Sequence, residues 1–132
     1  MNCMSTITPI VTPFVGVVTT HRFNFTGHPV EGFSVAPFVG VNFPSDGPAL
    51  AETIREVLLA IPGREELLAG AAAEIALPGL AHAAGILLAE WHGQFGAFPN
   101  IRWAVRGDAG FTWPDTATAN LADIRESART AR

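Results

Sequence analysis

The run AAAEIALPGLAHAAGILLAEWH, from Ala71 to His92, decides how the rest of the chain is read. Ala71 to Leu77 is short and apolar and stops at Pro78-Gly79, which suits an inner strand of a parallel sheet. Leu80 to His92 follows at once with helical composition, its apolar groups spread around most of the circumference, which predicts a largely buried helix. Gly93 and Gly96 supply the stop. The same run could be taken for a bilayer span by length, starting from Leu67. Glu74, His82 and the Pro78-Gly79 break are each unfavourable in lipid, and a strand followed by a helix explains the hydropathy without them.

Working outward, the segment before this run contains the clearest amphipathic helix. Ser45 or Asp46 can cap it, Pro48 fits its first turn, and Leu50, Ile54, Val57, Leu58 and Ile61 form one apolar stripe. Glu52, Arg55 and Glu56 take the wet face, Pro62-Gly63 ends it, and Arg64 to Ala69 adds a short helical turn. Further upstream, His21 to Phe25 alternates large groups and ends in the turn-like Thr26-Gly27-His28-Pro29. Phe33 to Phe43 is rich in β-branched and aromatic residues and reads as a strand, broken or placed at an edge by Pro37. Downstream, Ile101, Trp103 and Val105 alternate with Arg102, Ala104 and Arg106, a strand period with one wetter face. Asn120 and Asp123 mark a last helix with Leu121, Ile124 and Ala128 as its narrow stripe.

Strand, strand, helix, strand, helix, strand, helix is the order of an α/β domain with a mostly parallel sheet. The chain has 132 residues, enough for one domain with a core of its own. Residues 1–20 read as an N-terminal extension and residues 21–132 as the folded ligand-binding domain. The apolar stretch Ile7–Val18 lacks a preceding positive charge and is interrupted by Pro9 and Pro13, so it does not read as a secretion signal. A soluble, cytoplasmic protein is expected.

Composition excludes several functions. Charged residues are 15% and hydrophobic residues 48% of the chain, which is not a disordered composition. Cys3 stands alone, which removes intramolecular disulfides and multi-thiolate zinc sites. The net charge is −4, with eight arginines and no lysine, a poor balance for long nucleic acid. No histidine pair has ligand spacing among His21, His28, His82 and His92, so no metal is expected. Without lysine there is no Walker motif, and neither G-x-G-x-x-G nor G-x-S-x-G occurs. No cofactor is expected.

Ligands of parallel sheets gather beyond the carboxyl ends of the strands, near helix N-termini. That selects Thr26–Pro29, Pro78–Leu80 and the segment after Arg106. His28, in its Gly-His-Pro turn, can donate to a phosphate or stack on a base; a turn histidine that bonds only a neighbouring carbonyl is the plainer reading. Pro78-Gly79 can present backbone N–H groups to an anion, or simply start a tightly packed helix. Arg102 and Arg106 share one strand face, where most arginines are solvated, and Arg106 alone is placed by this reading at the sheet's mouth. Trp91, Trp103 and Trp113 read as core or subunit-contact groups rather than a stacking platform, and His82 and His92 as core histidines.

Three stretches together resemble a small CRISPR-associated family: Phe23-Asn24-Phe25-Thr26-Gly27-His28-Pro29-Val30, then Ala76-Leu77-Pro78-Gly79-Leu80-Ala81 continuing through Leu88-Ala89-Glu90-Trp91-His92-Gly93-Gln94-Phe95-Gly96-Ala97-Phe98-Pro99, and Asn120-Leu121-Ala122-Asp123-Ile124-Arg125. The likeness covers roughly residues 21–129, and the block from Leu77 to Gly93 is its most specific part. It implies a Rossmann-like fold of type III antiviral systems, with helices on both faces of the sheet, and a role in binding or sequestering a cyclic oligoadenylate messenger, the cyclic tetramer foremost. By position it puts Asn24, Gly27 and His28, with Thr26 between them, in a first ligand loop and Pro78, Gly79 and Leu80 in a second. It also implies a homodimer or larger assembly, since a two-fold ligand is gripped by one loop from each copy. The chain departs from the family pattern over residues 1–20 and in Phe33–Phe43, which stands where a helix is expected. The alternatives are a metal-independent ring nuclease with His28 as acid or base, and an assembly protein that binds no nucleotide. The binding role, without catalysis, ranks first.

Overall fold

The computed structural model describes residues 21–35 and 44–132. The extension read over residues 1–20 and most of the strand read over 33–43 therefore lie outside the described residues. The elements are β1 (His21–Asn24), β2 (Ser34–Val35), α1 (Gly47–Leu59), α2 (Arg64–Leu68), β3 (Ala73–Ala76), α3 (Ala81–Phe95), β4 (Asn100–Arg102), β5 (Val105–Gly107), β6 (Gly110–Thr112), β7 (Thr118–Asn120) and α4 (Leu121–Arg129). One sheet has the order β2-β1-β3-β4-β7, and β5 and β6 form a separate hairpin. β2, β1, β3 and β4 are parallel, while β7 runs antiparallel to β4. The fold is mixed α/β with a mostly parallel sheet, as the element order predicts.

The pleat sorts the residues of the sheet into two faces. Phe23 pairs in register with Ile75, and Ile75 with Ile101. This face carries the core, where Phe23, Phe25, Ala73 and Ile75 meet Leu50, Ile54, Val57, Leu58 and Ile61 from the α1 segment, Leu67 from α2, and Leu87 and Trp91 from α3. Each fully buried leucine or isoleucine contributes roughly 1.5–3 kcal/mol by leaving water. The opposite face presents Arg22, Glu74 and Arg102, an unusual load for inner strands.

α1 begins as its sequence predicts, with the Asp46 carboxylate accepting from the Ala49 N–H at 2.9 Å. α3 corrects the expectation of a helix buried on most sides. Its buried residues are Ala83, Leu87 and Trp91, one stripe at intervals of four, while His82 and His92 are exposed. His92 is thus not a core histidine and packs beside Phe98 at the surface, 4.5 Å between ring centroids. α3 runs three residues beyond His92 to Phe95, and Gly96 then stops it with a left-handed φ of 76°.

α1 and α3 pack side by side and are bridged by Arg55 and Glu90, Nη2 to Oε2 2.9 Å. The hydrogen bond from Arg55 holds the Glu90 carboxyl below the usual carboxylate range, with Gln94 helping. A carboxylate lowered by folding adds stability above its unfolded pKa and loses that contribution as pH falls through the folded value. Glu90→Gln is therefore expected to reduce the Tm at neutral pH. The gap from wild type should close below about pH 4, the ordinary glutamate range. A constant gap over a pH series of melts would contradict this.

The strand expected over Ile101–Arg106 ends instead at Arg102. The Trp103 N–H donates to the Ala117 carbonyl at 3.1 Å, and the chain then leaves the sheet for the β5–β6 hairpin. Gly107 and Gly110 flank the two-residue turn Asp108-Ala109, and Gly110 has φ 112°. That turn chemistry explains the reversal. Arg102 and Arg106 consequently belong to different sheets.

Candidate functional site

Because β1, β3 and β4 are parallel, their carboxyl ends open on the same side, and the segments that follow them line one cavity of about 530 Å³. Thr26, His28 and Pro29 follow β1; Leu77, Pro78 and Gly79 follow β3; Trp103 and Ala104 follow β4, whose last residue, Arg102, lies at the wall. Phe111 from the hairpin and Trp113 beyond it complete the lining. The strand order changes direction between β1 and β3, since the chain passes from β1 to β2 on one side and resumes with β3 on the other. Crevices at such reversals are where open parallel sheets hold ligands.

The first loop is held from beneath by Asn24, which is 2% exposed. Its Oδ1 accepts from the Thr26 N–H at 2.8 Å and lies 2.6 Å from Thr26 Oγ1, and its Nδ2 donates to the His28 carbonyl. The His28 N–H donates in turn to Thr26 Oγ1 at 3.0 Å. Gly27, with φ 82°, allows the turn between them. The backbone of His28 is thus committed, and its exposed imidazole stands at the cavity wall. Asn24→Ala removes the three bonds that hold this loop from beneath, leaving only those through Thr26 Oγ1, and leaves buried polar groups unmatched, which is expected to lower stability by about 1–3 kcal/mol. A urea unfolding curve indistinguishable from wild type would show that the loop holds itself.

The second loop leads into α3. α1 and α4 have side-chain caps from Asp46 and Asn120, whereas the N-cap of α3 is Leu80, which offers none. The backbone N–H groups of its first turn are accordingly without an intrahelical or capping partner, just past Gly79 on the cavity wall. The field there favours negative charge.

Of the residues singled out in the sequence, the structure brings Thr26, His28, Pro78 and Gly79 to the cavity. Asn24 and Gly27 shape the first loop without lining the cavity, and Leu80 is exposed beside it. Arg106 does not line it; it is exposed on the hairpin with its guanidinium over the Phe111 ring, 5.8 Å from the centroid. Of the three tryptophans read as core or subunit-contact groups, Trp91 is core, and Trp103 and Trp113 line the cavity.

Arg102 is the other residue that spacing misplaced. Rather than solvated, its side chain is 11% exposed and lies between two carboxylates. Nε and Nη2 each approach Glu74 Oε2 at 3.0 Å, and Nη1 reaches Asp115 Oδ1 at 3.0 Å. These hydrogen bonds, Asp115 first and Glu74 second, hold its pKa above even the ordinary arginine value. Glu74 also pairs with Arg22, Nε to Oε1 3.2 Å, and accepts from Thr118 Oγ1 at 3.1 Å. A clue was present in the sequence: a single carboxylate in an otherwise apolar inner strand, with one arginine in each strand that came to flank it.

No family model, no curated protein and no solved structure matches the chain. Its chemistry must be read from the cavity. Three aromatic rings offer flat faces, an imidazole and bare N–H groups offer donors, and Arg102 enters with its charge already matched. Among the described residues no group of three or more His, Cys, Asp and Glu gathers as a metal set, and no helix is long and apolar enough to cross a membrane.

Proposed function

We propose that this protein binds a cyclic oligoadenylate, the cyclic tetramer foremost, and sequesters it in type III CRISPR antiviral signalling in the cytoplasm. The observation that carries the reading is the meeting of the Thr26–Pro29 and Leu77–Gly79 loops with Trp103, Phe111 and Trp113 in one cavity. Adenine rings stack on such faces, and phosphates suit the His28 imidazole and the open first turn of α3. The reversal of strand order at this cavity supports the Rossmann-like part of the finer fold reading; helices on both faces rest on the resemblance alone, since α1, α2 and α3 all pack on the core face of the sheet. The family and pathway rest on the resemblance of the three quoted sequence blocks.

A cavity of about 530 Å³ is of the size that encloses one compact ligand, and a ring of four nucleotides is larger. Two copies facing each other across a two-fold axis would share it, which is why a homodimer or larger assembly belongs to the proposal. Binding ranks above ring cleavage because, among the described residues, His28 is the one side chain at the wall suited to proton transfer; the charge of Arg102 is engaged by Glu74 and Asp115.

Isothermal titration with the cyclic tetramer tests this. Heat is expected with one ring per two chains. Trp113→Ala should weaken binding by about 1–3 kcal/mol if one base stacks on that ring. Absence of heat at high micromolar ligand would remove the proposal and leave the assembly reading. Linear product after incubation with excess protein would replace sequestration by the ring-nuclease reading, with His28 as its acid or base.

A further inference from the structure

The buried ion network under the cavity has a use beyond stability. Arg102 Nη1 lies 3.4 Å from both the Trp113 and Pro114 carbonyls, besides its 3.0 Å bond to Asp115. One guanidinium thus grips three successive residues of a segment that belongs to no helix or strand. Its other edge is fixed to Glu74 in the central strand, and Glu74 is fixed from the far side by Arg22. Trp113, one of the three aromatic residues of the cavity wall, is attached to the sheet through this chain of contacts.

We infer that Glu74 and Arg102 are positioning residues for the ligand site, clamping the Trp113–Asp115 segment so that the Trp113 ring keeps its place in the cavity wall. This rests on the proposed nucleotide-binding role. Although Arg102 is, among the described residues, the one arginine lining the cavity, it acts on the base through Trp113 and does not serve as the phosphate's cation. Two carboxylates already match its charge, and Glu74 fixes its planar fork. Lysine in its place keeps a charge opposite Glu74 but cannot reach both Glu74 and the carbonyls of residues 113 and 114.

The test separates a clamp from a phosphate contact. Full-length protein carrying 5-fluorotryptophan gives fluorine signals for Trp91, Trp103 and Trp113, the last assigned with Trp113→Phe. In Arg102→Lys the Trp113 signal is expected to shift and sharpen while the Trp91 signal stays. Affinities for adenosine and for AMP should fall by the same factor, about tenfold, as for one lost base-stacking contact. If Arg102→Lys does not fold, Asp115→Asn, at an exposed side chain, should move the same signal by a smaller amount. If wild-type protein binds neither adenosine, AMP nor the cyclic tetramer, the proposed function falls and the fluorine signal alone decides the clamp. A Trp113 signal unmoved in the folded variant, or a loss of affinity confined to AMP, overturns the inference.

Discussion

Glu74→Ala is expected to lower the unfolding free energy by about 3–5 kcal/mol, the usual consequence of removing one partner from a buried ion pair. Glu74 is 6% exposed and sits in β3, with Arg22 of β1 on one side and Arg102 of β4 on the other. The arginines would not suffer equally. Arg22 is about half exposed and rests over the Phe33 ring, so it can turn to water. Arg102 cannot, and besides the Trp113 and Pro114 carbonyls its only remaining countercharge would be Asp115, an exposed carboxylate whose attraction is screened. The damage should therefore be recovered largely by Glu74→Leu combined with Arg102→Met, which fills the space with apolar groups and leaves no buried charge. Urea unfolding followed by circular dichroism checks both variants. A single variant within 1 kcal/mol of wild type, or a double variant as unstable as the single, would mean that the network is solvated. The double variant also lacks the grip on Trp113–Asp115, so it should fold and yet bind nucleotide poorly.

Trp91→Ala should cost about 3–5 kcal/mol through lost burial and the void left behind. Trp91 is 2% exposed and lies against Phe23 and Phe95, at centroid distances of 6.1 and 4.8 Å. A space of about 110 Å³ already adjoins it, bordered by Leu67, Ala73, Phe95 and Phe98. The new void would merge with that space, and the helices would have to shift to close both. Trp113→Ala provides the contrast, since its ring is only partly buried, at the cavity wall, and its loss should fall on ligand affinity far more than on stability. Comparable destabilisation by the two variants would contradict this division of labour between the tryptophans.

Helix positions were legible wherever the signal was local. Asp46-Gly47-Pro48 starts α1 and Asn120 caps α4 because a side-chain oxygen needs only the N–H groups within one turn of it. The two site loops were legible for a similar reason, as strand-end turns of a parallel sheet must open on a common side. The β5–β6 hairpin was missed although Gly107 and Gly110 announce a turn, because the alternation of Ile101 to Arg106 continues smoothly across Trp103-Ala104. β7 has no period of its own and exists because β4 offers it an edge.

The helices, the strands β1 and β3 and their order were thus determined by the sequence alone, since capping, turn chemistry and apolar spacing act between residues a few positions apart. Tertiary structure decided which aromatic and charged side chains serve the cavity. Arg102 meets Glu74 only because β4 lies beside β3, and it meets Asp115 only because the chain returns from the hairpin to form β7. Trp91 is core and Trp113 is wall for the same physical reason: a ring's surroundings are set by residues distant along the chain, and no local pattern records them.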